Sequence, residues 1–106
     1  MTEKNRIELL KEFIAEDPAD VFSRYALALE YFNSGLMGDS EKEYLEVLKI
    51  KKDYLPVYYQ LGKLYESWNE TEKAIEIYKS GIEIAKEQRN LKTMNELRGA
   101  MEDMEG

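Results

Sequence analysis

The feature that most limits what this chain can become is the run Tyr58-Tyr59-Gln60-Leu61-Gly62-Lys63-Leu64-Tyr65. Tyr58, Leu61, Gly62 and Tyr65 fall at i, i+3, i+4 and i+7, one stripe of an α-helix. A glycine inside such a stripe weakens the helix by about 1 kcal/mol against alanine, and is usually kept where a second helix must approach closely. Ala74, Tyr78 and Gly81 form the matching stripe downstream. Small residues meet large ones across the pair, which is how two helices interdigitate. Ser67-Trp68-Asn69-Glu70 lies between them, and Asn69 with Glu72 reads as a capping box opening the second helix. Residues 55–88 are therefore predicted to form a helical hairpin.

The pattern resembles the tetratricopeptide repeat, in which an aromatic residue, Leu-Gly and Tyr are followed by Ala, an aromatic and Pro. Tyr58 stands where the family prefers Trp, Tyr78 where it prefers Phe, and Lys86 where it places the closing Pro. Leu27-Ala28 and Tyr31 precede Leu61-Gly62 and Tyr65 by 34 residues, the period of this family. Tyr44 then matches Tyr78 and Val47 matches Gly81, while Arg24 and Ser40 replace Tyr58 and Ala74. A second, less regular repeat thus comes before the first. The resemblance spans residues 3–104. It implies an all-α fold, an α-α superhelix of about six helices wound to the right.

Taken in order, the chain reads as a single domain. A first helix over 3–16, capped by Thr2, carries Ile7, Leu10, Phe13 and Ile14 on one stripe. Pro18 stands where a repeat's closing Pro would, so this helix looks like the second half of a repeat. The first full repeat covers 18–54. Asp17 is its expected N-cap, with Pro18 opening the helix and Gly35 stopping it. After a loose turn, Asp39 or Ser40 is expected to cap a helix running to about Lys51. Lys49, Lys51 and Lys52 at its end read as partners of the helix dipole or as a phosphate or acidic-ligand site. The second repeat covers 55–88, opened by Pro56. Asn90 caps a final helix over 90–104 with the stripe Leu91, Met94, Leu97, Ala100, Met101 and Met104. That helix closes the stack, or offers its methionines as an adaptable docking surface. Trp68 is expected to pack under its turn, the alternative being an exposed binding hot spot.

Composition removes most other functions. There is no cysteine and no histidine, which excludes thiolate or imidazole zinc sites and every Ser-His or Cys-His catalytic arrangement. A formal net charge of -7 opposes binding to nucleic acid or to an anionic membrane surface. No run approaches the length of a membrane span, and no apolar leader is seen, so a cytoplasmic location is expected. Asn69-Glu70-Thr71 fits a glycosylation sequon but is read as a cap. Glu72 and Glu76 share a helix face without a visible pocket, and no phosphate-binding loop occurs. The expectation is a protein that is not an enzyme and holds no cofactor or metal.

In the family, the first helix of each repeat lines a concave groove that binds a protein or peptide. The resemblance places Phe22, Tyr25, Leu29, Phe32 and Asn33 on that face in the earlier repeat. Tyr59, Lys63, Glu66 and Ser67 occupy it in the later one. Phe22 and Leu29 are equally readable as core. Members that grip a C-terminal carboxylate use Lys and Asn here as a cationic clamp, and Tyr25 and Leu29 do not supply one. An apolar or amphipathic segment fits better. Self-association into a homodimer through the same apolar face, or through the last helix, is the alternative.

Overall fold

The structure, a computed structural model, describes residues 5–105. Six helices follow one another: α1 Arg6–Glu16, α2 Val21–Asn33, α3 Met37–Ile50, α4 Leu55–Ser67, α5 Thr71–Glu87 and α6 Leu91–Glu105. Among the described residues there is no strand. The helices form two compact units that divide between Lys52 and Asp53.

In the first unit, α1 and α2 pack through Leu10, Ala26, Leu27 and Tyr31, with Ile7 and Ile14 laid against them. Phe13, expected on that stripe, is exposed. Asn5 caps α1 by accepting from the Glu8 amide at 2.9 Å. The expected Thr2 cap lies outside the described residues. α2 begins at Val21 rather than Pro18, because Asp20 is the better cap. Its carboxylate accepts from the Ser23 amide at 3.0 Å and from the Ser23 hydroxyl at 2.6 Å. Those two bonds hold the Asp20 pKa below its ordinary value, the hydroxyl contributing most. Asp17 instead turns the chain locally, accepting from the Ala19 amide at 3.2 Å.

Gly35 ends α2 at φ +81°. The Leu36 amide then reaches back to the Tyr31 carbonyl at 2.8 Å, the closing bond of a left-handed helix cap. The turn is tight enough that α3 starts at Met37, so neither Asp39 nor Ser40 is its cap. Ser40 is fully buried, and its hydroxyl donates to the Ala28 carbonyl at 2.8 Å. The slot that holds Ala74 in the second unit thus takes a small polar residue whose one donor is satisfied inside the hairpin. The rings of Tyr25 and Tyr44 pack at 6.0 Å between centroids.

The second unit repeats this hairpin. Gly62 and Gly81 are explained by their neighbours: a Cβ at Gly62 would clash with the edge of the Tyr78 ring, and one at Gly81 would come 2.7 Å from the Tyr58 Cβ. The small-to-large matching expected from the two stripes is present. The rings of Tyr59 and Tyr78 pack at 6.5 Å, the same pairing as Tyr25 with Tyr44. Asn69 is not a cap but the left-handed residue of the turn, φ 58°. It does for this hairpin what Gly35 does for the first, with the Glu70 amide closing on the Tyr65 carbonyl at 2.9 Å. Asparagine tolerates that conformation better than most residues. α5 consequently starts at Thr71 without a side-chain cap. Trp68 is 37% exposed, with its ring 6.3 Å from that of Tyr65.

α6 packs on α5 through Leu97, which seats over Gly81, and buries Ala100 as well. Arg89 takes the left-handed turn position, and Asn90 caps the helix by accepting from the Thr93 amide at 3.1 Å. Leu91, expected on the apolar stripe, is 66% exposed. Met94, Met101 and Met104 are half-buried.

Candidate functional site

The two units present different surfaces on their first-in-hairpin helices. On α2, Phe22, Tyr25, Leu29 and Phe32 follow at i, i+3, i+7 and i+10, with Asn33 beside them, so they share a face. Phe22 is 72% exposed and is not core. Tyr25, Leu29 and Phe32 are half-buried, and Asn33 is exposed. Tyr25 owes its position to the Tyr44 ring. On the neighbouring flank, Arg24 occupies the slot of Tyr58. Its guanidinium pairs with Glu43 at 2.9 Å, each side chain 15% exposed, and its Nε donates to the Pro18 carbonyl at 2.8 Å. A charged residue is accommodated in an aromatic slot because α3 supplies the carboxylate and the turn supplies an acceptor.

In the second unit, Tyr59, Lys63 and Glu66 are joined in one network. The Lys63 ammonium lies 5.4 Å from the centre of the Tyr59 ring and 3.5 Å from the Glu66 carboxylate. Glu66 also accepts the Tyr78 hydroxyl proton in a short hydrogen bond. Burial pushes the Tyr78 pKa strongly upward, and the Glu66 bond adds to it. The one cation expected on this face is thus already engaged by an anion and a ring. Ser67 turns its hydroxyl back to the Leu64 carbonyl at 2.6 Å.

Tyr59 and Lys63 form one wall of a cleft of about 300 Å³. The other wall is α6, with Asn95, Glu96, Gly99, Ala100 and Asp103. None of these α6 residues was expected at the site. Asn95 and Gly99 stand fifth and ninth in α6, as Tyr59 and Lys63 do in α4. Reading the last helix as the first helix of a third repeat, rather than only as an apolar stripe, would have found them.

Comparison with known proteins agrees with this geometry. A tetratricopeptide repeat profile matches residues 55–88. The solution structure of a tetratricopeptide repeat domain protein from Salinibacter ruber is 40% identical, covers 85% of this chain and 91% of that one, and superposes with a TM-score of 0.80. The TPR2B domain of yeast Sti1, solved as a complex with pHsp70, is 12% identical over 93% of this chain and 79% of that one, with a TM-score of 0.86. The first TPR of Spaghetti (RPAP3), bound to an HSP90 peptide, is 20% identical over 94% and 78%, with a TM-score of 0.75. The last two show likeness of fold alone. Curated protein sequences gave no match. Six helices in hairpins with this pattern define an all-α helical-repeat protein. The chain belongs to the tetratricopeptide repeat family.

Proposed function

We propose that this chain is a non-enzymatic interaction module, located in the cytoplasm, that binds a protein or peptide segment through its first-in-hairpin helices. The α2 face of Phe22, Tyr25, Leu29, Phe32 and Asn33 is one contact surface. The cleft walled by Tyr59 and Lys63, with Glu66 fixing the lysine, is another. The observation that carries the reading is that cleft: its volume falls in the range of ligand sites, about 300–1,000 Å³, and two aligned helices wall it. Phe22 supports it, since an aromatic side chain left in water on an ordered helix is the residue type that anchors interfaces. The peptide complexes of Sti1 and Spaghetti supply the family precedent.

The test is affinity capture from the source cell extract with wild type and a Phe22→Ser/Lys63→Glu variant of equal helicity. Tyr25 and Tyr59 are poorer targets, because truncating either strips ring packing from Tyr44 or Tyr78. A protein retained by wild type and lost by the variant supports the module. Equal retention on both refutes these surfaces.

A second reading, self-association, is favoured by Leu9, Phe13 and Phe22, all exposed in the first unit. The half-buried methionines of α6 favour it less. A dimeric mass at micromolar concentration, abolished by Phe13→Ser/Phe22→Ser, would establish it.

A further inference from the structure

The α6 wall of the cleft contains a glycine the protein does not itself need. Gly62 and Gly81 lack side chains because Tyr78 and Tyr58 occupy the space. Gly35 holds a left-handed turn. Gly99 has neither reason: it sits in the middle of α6, at no positive φ, and a Cβ there would meet nothing within 4 Å. Gly38 has equally open surroundings, but it sits at the second position of α3, beside a turn, and does not line the α4–α6 cleft. A mid-helix glycine lowers helix stability against alanine. With no protein atom near it, the bare backbone at Gly99 permits an approach that a side chain would prevent.

The charge around Gly99 indicates which ligand. Glu96 and Asp103 flank it at three and four residues, on the same helix face, and both are exposed. Neither enters an ion pair among the described residues. The opposite wall supplies Lys63, which Glu66 and the Tyr59 ring already engage. The charge left open to an occupant is therefore negative, and the net charge of -7 draws cations toward it. Tyr59 offers an aromatic flank for the aliphatic stem of a long cationic side chain.

We propose that the α4–α6 cleft takes a Lys- or Arg-bearing peptide whose main chain crosses α6 at Gly99, with its cationic side chains on Glu96 and Asp103. This rests on the reading of the chain as a peptide-binding module and names the class of peptide.

Selection of phage-displayed random peptides on the whole protein tests it. Enriched sequences would be synthesised and their affinities measured against wild type, Gly99→Leu and Glu96→Gln/Asp103→Asn. Thermal melts would accompany each variant, and Gly99→Leu is expected to melt no lower than wild type. The expected peptides carry net positive charge. Gly99→Leu weakens them by at least about tenfold through a direct clash. The charge-neutralised variant weakens them about fivefold, an effect that shrinks with added salt. Acidic or uncharged peptides overturn the proposal and leave the module reading standing, as do basic ones indifferent to Gly99→Leu. If no peptide is enriched over an unrelated control protein, both readings fall.

Discussion

Substituting Gly62 by alanine pits helix propensity against packing at one atom. Propensity alone favours the change by about 1 kcal/mol. The added methyl, however, would clash with the edge of the Tyr78 ring, and Tyr78 is fully buried with its hydroxyl tied to Glu66. The ring has no free end to swing away. To make room, it must leave its place against Tyr59 and lengthen its bond to Glu66. Overpacking of this kind costs typically about 1–3 kcal/mol, and loss of a hydrogen bond to a charged acceptor about 1.5–3 kcal/mol more. Set against the propensity gain, the net expectation is a loss of about 1.5–5 kcal/mol, lowering Tm by at least about 6 °C for a chain of this size. Urea unfolding followed by circular dichroism measures it. The matched control is Gly99→Ala, where the methyl meets nothing; that variant should gain about 0.5–1 kcal/mol. Placing Gly62→Ala in a Tyr78→Leu background should recover part of the loss, a coupling of about 1 kcal/mol or more. If Gly62→Ala is as stable as wild type, the account of Gly62 as a socket for Tyr78 is wrong.

The two paired tyrosines should respond oppositely to loss of their hydroxyls. Tyr44 Oη is buried without a hydrogen-bond partner among the described residues, while the Ser40 hydroxyl donates to the Ala28 carbonyl. Phe32 stands where Glu66 serves Tyr78. Tyr44→Phe is therefore expected to gain about 1 kcal/mol and Tyr78→Phe to lose about 1–2 kcal/mol in urea titration. Breaking the Arg24–Glu43 pair by Glu43→Ala should cost about 1–2 kcal/mol, leaving a largely desolvated Arg24 without its carboxylate, and salt should do little to restore it. Asp20→Ala should cost about 1 kcal/mol as a lost helix cap. The folded-state pKa of Asp20 is depressed below 3.8, so its contribution is complete above that value and fades as pH falls through the folded pKa. The wild-type advantage over Asp20→Asn should accordingly shrink below about pH 4 in parallel melts.

What could be read in advance was what is periodic and local. The stripes of α4 and α5, the meeting of small residues with large ones between them and the hairpin over 55–88 follow from spacing alone. The turns are not legible in the same way, because the same residue types serve two purposes. Asn69 both caps helices and adopts left-handed conformations, and only the Glu70–Tyr65 closure decides for the second. Asp17 and Asp20 both precede a helical run, and the helix took the one with Ser23 three residues on. Phe13 and Leu91 fit their stripes by spacing, but each is exposed in the fold. The α6 half of the cleft was invisible for a related reason. Which face of α6 turns toward α4 is set by how Leu97 seats over Gly81, and no count along one helix contains that.

Trp68, the only tryptophan, lies in the second unit beside Tyr65. Its emission therefore follows the unravelling of α4 and α5, whereas helical ellipticity counts every turn of both units. The molecule thus carries a built-in reporter for half of itself. Superimposable fluorescence and ellipticity curves would mean that the halves melt as one cooperative body. Separated midpoints would mean that the repeats unzip in sequence, and the order could be read without adding a label.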